Sequence, residues 1–308
     1  MREKEAETMQ FGLYCIECML RRETENARRF GDMETGNRYI REVLQAIAQS
    51  PRGVSAPYME SVFAPMLDRY YHVGEDRFRE IKRESNRWML ERLPGIRTRV
   101  LQADDPIRAA LLYARCANYI DFSALGGRVN EQELDALLDA APEAPLDETE
   151  YRHFREDLAA AKRFLLVADN AGEIVCDKLL CELLRAHDPA LEVSVAVRGG
   201  PAMNDALRED AEQVGFAELG RIVDSGCRIS GTELPYVGEA MRQALDEADV
   251  ILAKGMGNFE SMFGCGKNVY YLFLCKCERF VKMFGAKPMQ GMLLHERRTH
   301  ITPERQMA

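Results

Sequence analysis

The sequence predicts an α/β protein: a Rossmann-like, doubly wound and mainly parallel sheet, preceded by an all-helical N-terminal domain. Three observations predict it. Through about residue 150, apolar residues recur three and four apart with Arg and Glu between them. From about Lys162, apolar runs of strand length alternate with helical patterns. Polar residues then cluster just past those runs, where open α/β sheets bind their ligands. The helical domain is placed at 1–100 and the α/β domain at 101–294. Residues 295–308 match no element and read as a tail open to disorder.

The helical part includes FGLYCIECMLRRETENARRF and DRFREIKRESNRWMLERL. Breaks are expected at Ser50-Pro51-Arg52-Gly53, Ala56-Pro57 and Leu93-Pro94-Gly95. Glu143 to Glu150, EAPLDETE, reads as a linker or a helix start. Next, FLLVAD leads to GEIVCDKLLCELLRAH, and EVSVAVRG leads to MNDALREDAEQVG. RIVDSG passes through a polar loop to YVGEAMRQALDEA, DVILAKG leads to NFESMF, and VYYLFLCKC closes the series. This alternation calls for right-handed crossovers.

Composition narrows the function classes. The chain has 308 residues, 46% of them hydrophobic, enough for a sizeable core. A formal charge of -9 makes long-range attraction to nucleic acid or anionic lipid unfavourable. There is no apolar run of about 18 residues to span a membrane. MREKEAETMQ lacks the apolar core of a signal peptide, so a cytoplasmic protein is expected. Nine cysteines, an odd and scattered set, point to free thiols.

The strand ends carry the chemistry. They are Asp169-Asn170, Arg198-Gly199-Gly200, Asp224-Ser225-Gly226, Lys254-Gly255-Met256-Gly257-Asn258, and Lys276. Each has a plainer reading. Asp169 or Asn170 could cap the next helix. Asp205 could be first-turn charge favoured by a helix dipole. The glycines could be turn residues. Lys254 and Lys276 follow apolar strands, where an unpartnered ammonium is costly. Asp, Asn and Asp together offer hard oxygen ligands with two negative charges, a set suited to Mg²⁺, Mn²⁺ or a similar ion. Lysines and glycine amides suit phosphate oxygens. Together they describe metal-assisted phosphate-ester hydrolysis. The histidines show no zinc spacing, and neither a GxSxG elbow nor a phosphate-binding GxxxxGK[ST] loop is present.

ADNAGEIVCD, NDA, KGMGNFES and the late KC resemble the metal-dependent damage-control phosphatases, long catalogued as a domain of unknown function. That family is also named for an acidic-residue-methyltransferase-like fold. The resemblance extends to Cys15-Ile16-Glu17-Cys18 and Asn118-Tyr119-Ile120-Asp121, and covers roughly Leu13 to Gly285. The stand-alone microbial branch with an N-terminal CxxC is the nearest in pattern. The resemblance implies a divalent ion (Mn²⁺, Ni²⁺, Co²⁺ or Mg²⁺) on Asp169, Asn170 and Asp205. It implies substrate contacts from Glu173, Asn204, Lys254, Gly255, Gly257, Asn258 and Glu260, with Lys276 as a catalytic cation. The implied substrates are small phosphometabolites, such as sugar phosphates or damaged phosphorylated compounds. The segment LFLCKCERFVKMFGAK departs from the usual pattern, with an extra Cys275 and none of the small residues expected there.

Some features stay open at the level of sequence. Cys15 and Cys18 supply two ligands toward a second metal, with Cys275 and Cys277 able to complete it, or they are a redox pair, or buried free thiols. Asn118 and Asp121 face the metal cleft or simply form a polar helix face. Two rival functions are S-adenosylmethionine-dependent carboxyl methyl transfer and a non-catalytic phospholigand or thiol sensor. The first calls for a Gly-rich first turn and an acidic residue ending the second strand; the chain has DNAGE and Arg198 there.

Overall fold

The computed structural model describes residues 9–121 and 130–301. Helices α1 (Leu13–Phe30), α2 (Met33–Ala48) and α3 (Ala56–Tyr71) share a core of Cys15, Met19, Tyr39, Val43, Met59, Phe63 and Leu67. Side chains of Asp32 and Ser55 cap α2 and α3, accepting from backbone N–H groups three residues on. Helices α4 (Arg79–Gln102), α5 (Pro106–Ala117), α6 (Glu131–Ala140) and α7 (Glu148–Ala160) behave differently. Their apolar residues, Met89, Ile96, Val100, Leu111, Leu134 and Phe154 among them, join the core on one face of the sheet. The boundary expected at residue 100 therefore falls inside α4. The break expected at Pro94 is also absent. Pro94 forfeits one helical hydrogen bond, and the burial of Met89, Ile96 and Val100 outweighs it.

The sheet order is β3-β2-β1-β4-β5-β6. Its strands are β1 (Arg163–Val167), β2 (Glu192–Val197), β3 (Arg221–Asp224), β4 (Val250–Lys254), β5 (Val269–Leu274) and β6 (Gly291–His295). The first five run parallel, and β6 pairs antiparallel with β5. Alternate strand residues serve opposite faces. Phe164, Leu166, Val195, Leu252 and Tyr270 face the α4–α7 side, joined by α8 (Glu173–His187). Leu165, Val167, Ile251, Tyr271 and Phe273 face α10 (Glu239–Glu247), α11 (Gly255–Met262) and α12 (Glu278–Phe284). A short helix α9 (Arg208–Gln213) lies between β2 and β3. The chain winds outward from β1 in one direction and from β4 in the other, so their carboxyl ends flank the switch-point crevice. Among the described residues no helix is long and apolar enough to cross a membrane.

β6 corrects the expected tail. His295 ends the strand and Glu296 and Ile301 are buried, while Arg298 pairs with Glu150 at 2.7 Å. Residues 302–308 lie outside the described part. At five residues, GMLLH, β6 is too short and too mixed to show a clear strand periodicity. Its last residue predicts a pH effect. His295 Nδ1 accepts the Arg297 amide at 3.2 Å, so Nε2 carries the proton toward Asn268 Oδ1 at 2.8 Å. Burial, then Arg298, lowers the imidazole to about 4. The unfolded chain takes up this proton near the ordinary value of 6.5 and the folded chain does not. Stability is thus complete above that value and falls as pH drops from 6.5 toward 4. The loss should be on the order of 2 kcal/mol, with solvent screening part of the shift. Urea unfolding across this window should show the slope, and His295→Gln should flatten it.

Candidate active site

Two short segments meet at the end of β1. Ala206 donates its backbone N–H to Asp169 O at 2.7 Å, and Ala171 donates to Asn204 O at 2.9 Å. These bonds clamp Asp169-Asn170-Ala171 antiparallel to Asn204-Asp205-Ala206, with Asn170 opposite Asp205. Asp205 closes a tight turn onto Ala202 O, and Met203 within it has the left-handed φ of 50°. The fold thereby brings together the three residues expected to bind metal, although Asn170 and Asp205 lie 35 positions apart along the chain.

The carboxylates are held by a defined set of donors. Asp169 Oδ2 accepts from Asn118 Nδ2 at 3.1 Å and Asn170 Nδ2 at 2.7 Å. Asp205 Oδ2 accepts from Arg198 Nε at 2.6 Å. Asn170 Oδ1 accepts from Asn204 Nδ2 at 2.9 Å, and Asn204 Oδ1 is buried with no partner among the described residues. Burial raises the Asp169 carboxyl well above the usual range, and Asp205, Glu173 and Asp121 push it the same way. Burial pushes Asp205 up to about 6, with Arg198 opposing. Negative charge and acceptor oxygens are therefore in excess here, and an orphaned buried acceptor carries a real cost. Among the described residues, no group of three or more His, Cys, Asp and Glu is arranged to hold a metal ion. A cation here would rest on two carboxylates and amide oxygens, a donor set that fits a hard divalent ion.

Behind this pocket lies a buried ionic layer, and it holds several of the expected substrate contacts. Glu173, the first residue of α8, and Lys254, the last of β4, are both 0% exposed. Lys254 Nζ reaches Glu173 Oε1 at 2.5 Å, Asp177 Oδ1 at 2.6 Å and Ala114 O at 3.0 Å, which uses its three N–H groups. Glu173 Oε2 takes Asn118 Nδ2 at 2.9 Å and Asn170 Nδ2 at 2.8 Å. Asn258 is closed off too: its amide donates to Ala168 O and Lys254 O, while its oxygen accepts from Thr232 and Arg198. Glu173, Lys254 and Asn258 are thus hydrogen-bonded within the protein and sealed from solvent, directly behind the pocket.

The remaining expectations divide. Gly255 is required by contact: its φ is +78°, and a Cβ there would lie 2.0 Å from Asp169 Oδ2. Gly257 packs against Ser230 O. Glu260 lies outside this pocket, where its charge acts on Cys15 and Cys277. Asn118 and Asp121 do reach the site, but from the turn that follows α5, not from a helix face. Asn118 Oδ1 also takes the Leu274 amide at 3.0 Å. Lys276 lies just beyond β5, with Nζ 2.7 Å from Asn118 O and 2.6 Å from Asp121 Oδ2, and its charge acts on Asp169. Arg198, Asn86 and Thr232 were not among the expected site residues. Asn86 on α4 accepts the Gly172 amide at 2.6 Å and so anchors the turn into α8. Arg198 was legible: an Arg ending an apolar strand raises the same burial cost that singles out Lys254 and Lys276.

The cysteine pair takes no such position. Cys15 is buried, and its Sγ accepts from Arg279 Nη1 at 3.2 Å, while Cys18 is exposed. Burial pushes the Cys15 thiol up to about 12, with Glu260 adding and Arg279 opposing. A thiol kept protonated is a poor nucleophile at neutral pH. Cys15, Cys18, Cys275 and Cys277 are all free thiols.

Fold and site together define a Rossmann-like protein with an acidic, amide-rich pocket at its topological switch point. Residues 13–291 match the model of the damage-control phosphatase ARMT1-like domain. The chain belongs to that family. It is 30% identical over 272 residues to a damage-control phosphatase of Pyrococcus horikoshii, covering 85% of this chain and 90% of that protein. A damage-control phosphatase of Archaeoglobus fulgidus is 28% identical over 285 residues, covering 90% and 96%. An uncharacterised protein of Methanocaldococcus jannaschii is 27% identical over 296 residues, covering 91% and 93%. The crystal structure of a DUF89 family protein from Pyrococcus horikoshii superposes with a TM-score of 0.78 at 25% identity, covering 92% of this chain and 98% of that one.

Proposed function

We propose that the protein is a metal-dependent phosphatase that hydrolyses small phosphorylated metabolites, with Asp169, Asn170 and Asp205 holding a divalent ion. The observation that carries this is the backbone clamp that sets Asp169 and Asp205 together beside the orphaned Asn204 oxygen, in a chain of a phosphatase family. Bound there, a divalent ion would polarise a phosphoryl oxygen and lower the pKa of a coordinated water. Hydrolysis replaces the ester P–O bond with a bond to the water oxygen, and the leaving oxygen takes up a proton. Asn118 and Glu173 keep the ligand side chains in one orientation. Lys276 supplies a cation at the pocket edge, where negative charge shifts toward the phosphoryl oxygens and the leaving group. Phosphate release from a panel of phosphomonoesters, with and without Mn²⁺, Ni²⁺, Co²⁺ or Mg²⁺, tests this reading. No metal-stimulated release from any of them would count against it.

Lys276 yields a second expected result. Lys276→Ala should lower kcat by roughly 10²-fold. Its protonated amine is no metal ligand, so Mn²⁺ affinity should not fall. Lys276→Arg should restore only part of the rate, since the planar fork meets Asp121 and a phosphate differently. A variant with parental kcat would remove Lys276 from the catalytic set.

A further inference from the structure

Arg198 follows β2 at its carboxyl end and is 2% exposed. Its backbone is tied to the clamp by an N–H bond to Ala206 O at 3.0 Å. Two of its three guanidinium nitrogens are committed. Nε donates to Asp205 Oδ2 at 2.6 Å, and Nη1 to Asn258 Oδ1 at 3.1 Å and Thr232 Oγ1 at 3.4 Å. Nη2 is buried and has no hydrogen-bond partner among the described residues. Its near neighbour is Asp169 Oδ1 at 3.8 Å, too far for a hydrogen bond. A buried cationic donor left unpaired is costly, and Arg198 cannot shed its proton to escape that cost. Fixed by Asp205, Asn258 and Thr232, the guanidinium cannot turn away either. An oxyanion placed between Asp169 and Asp205 by a bound metal would supply the missing acceptor.

From this we infer that Arg198 is a catalytic residue whose Nη2 donates to a non-bridging phosphoryl oxygen, while its Nε fixes the Asp205 carboxylate. The inference rests on the phosphatase reading and adds a second fixed cation to Lys276. A planar guanidinium suits the task, because it can hold a carboxylate with one edge and a phosphoryl oxygen with the other. Lysine keeps the charge but cannot bridge both.

The test uses orthovanadate and inorganic phosphate as probes on the Mn²⁺-loaded protein, with Mn²⁺ affinity titrated separately. Arg198→Lys should weaken orthovanadate binding roughly 10- to 100-fold and lower kcat in step, while Mn²⁺ affinity changes by less than about 3-fold. Mn²⁺ affinity falling in proportion to orthovanadate affinity would reduce Arg198 to positioning Asp205, and unchanged orthovanadate affinity would remove it from the phosphoryl site. Both outcomes overturn the inference and leave the phosphatase reading intact. A parent protein that releases no phosphate and binds no orthovanadate overturns both. Should the variant misfold, the parent loaded with Mg²⁺ and labelled with ¹⁵N at arginine decides the matter. Orthovanadate should shift one buried Nη resonance, and no shift would again overturn the inference.

Discussion

Asp169→Asn is expected to abolish metal-stimulated phosphate release, by roughly 10³-fold or more, and to raise the melting temperature of the metal-free protein. Both effects follow from the same crowding of charge. Asp169 is 8% exposed, and its ionised form is opposed by burial, Asp205, Glu173 and Asp121 together. The unfolded chain ionises this carboxyl freely at neutral pH. Its folded pKa is raised, so ionised Asp169 subtracts from stability once pH exceeds the ordinary carboxylate range. An amide keeps the shape and accepts the same bonds from Asn118 and Asn170, without the charge. The stabilisation should therefore grow from acid toward neutral pH and shrink when saturating Mn²⁺ stabilises the parent. Asp205→Ala should differ in sign: it loses activity equally but melts below the parent, because Arg198 then keeps a buried charge without its carboxylate. Calorimetry of the metal-free proteins separates the cases. A destabilised Asp169→Asn, or either variant at full turnover, would contradict the site.

The proposed metal ligands are legible in the sequence because strand-end position and residue type coincide at Asp169, Asn170 and Asp205. The supporting layer was not. Asp177 sits one turn into α8 and looks like ordinary helix charge. Nothing local shows that Lys254, 77 residues on, reaches it. Glu173 and Lys254 were legible as residues that matter, yet their burial depends on α5 lying over them, a tertiary fact with no periodic signal. The strands of the parallel sheet announced themselves by continuous apolar runs, whereas β6, an antiparallel edge with the mixed sequence GMLLH, did not. α4 runs through Pro94 because tertiary packing overrides the local propensity to break there.

Lys254→Met is expected to cause the largest loss of stability among these changes. The side chain is fully buried, and removing its ammonium leaves Glu173 and Asp177, each 0% exposed, facing each other without a cation. Breaking a buried pair by deleting one partner typically costs about 3–5 kcal/mol, since the surviving charge stays buried. In a chain of this size that is a fall in Tm of roughly 10 °C. Some of the cost will appear as carboxyl groups that stay protonated to higher pH, so the variant should lose less stability in mild acid than at pH 8. The damage should also reach the active site. Glu173 Oε2 orients Asn170 and Asn118, which in turn hold Asp169, so Mn²⁺ affinity should fall even though Lys254 touches no ligand. Adding Asp177→Asn to Lys254→Met should recover part of the Tm, because one of the two stranded charges is removed, and the double-mutant cycle measures the coupling. Lys276→Ala provides the contrast, with lowered kcat and little change in metal affinity. If Lys254→Met melted within about 2 °C of the parent and raised only KM, the ammonium would be a substrate contact after all, and the buried ionic layer would lose its structural role.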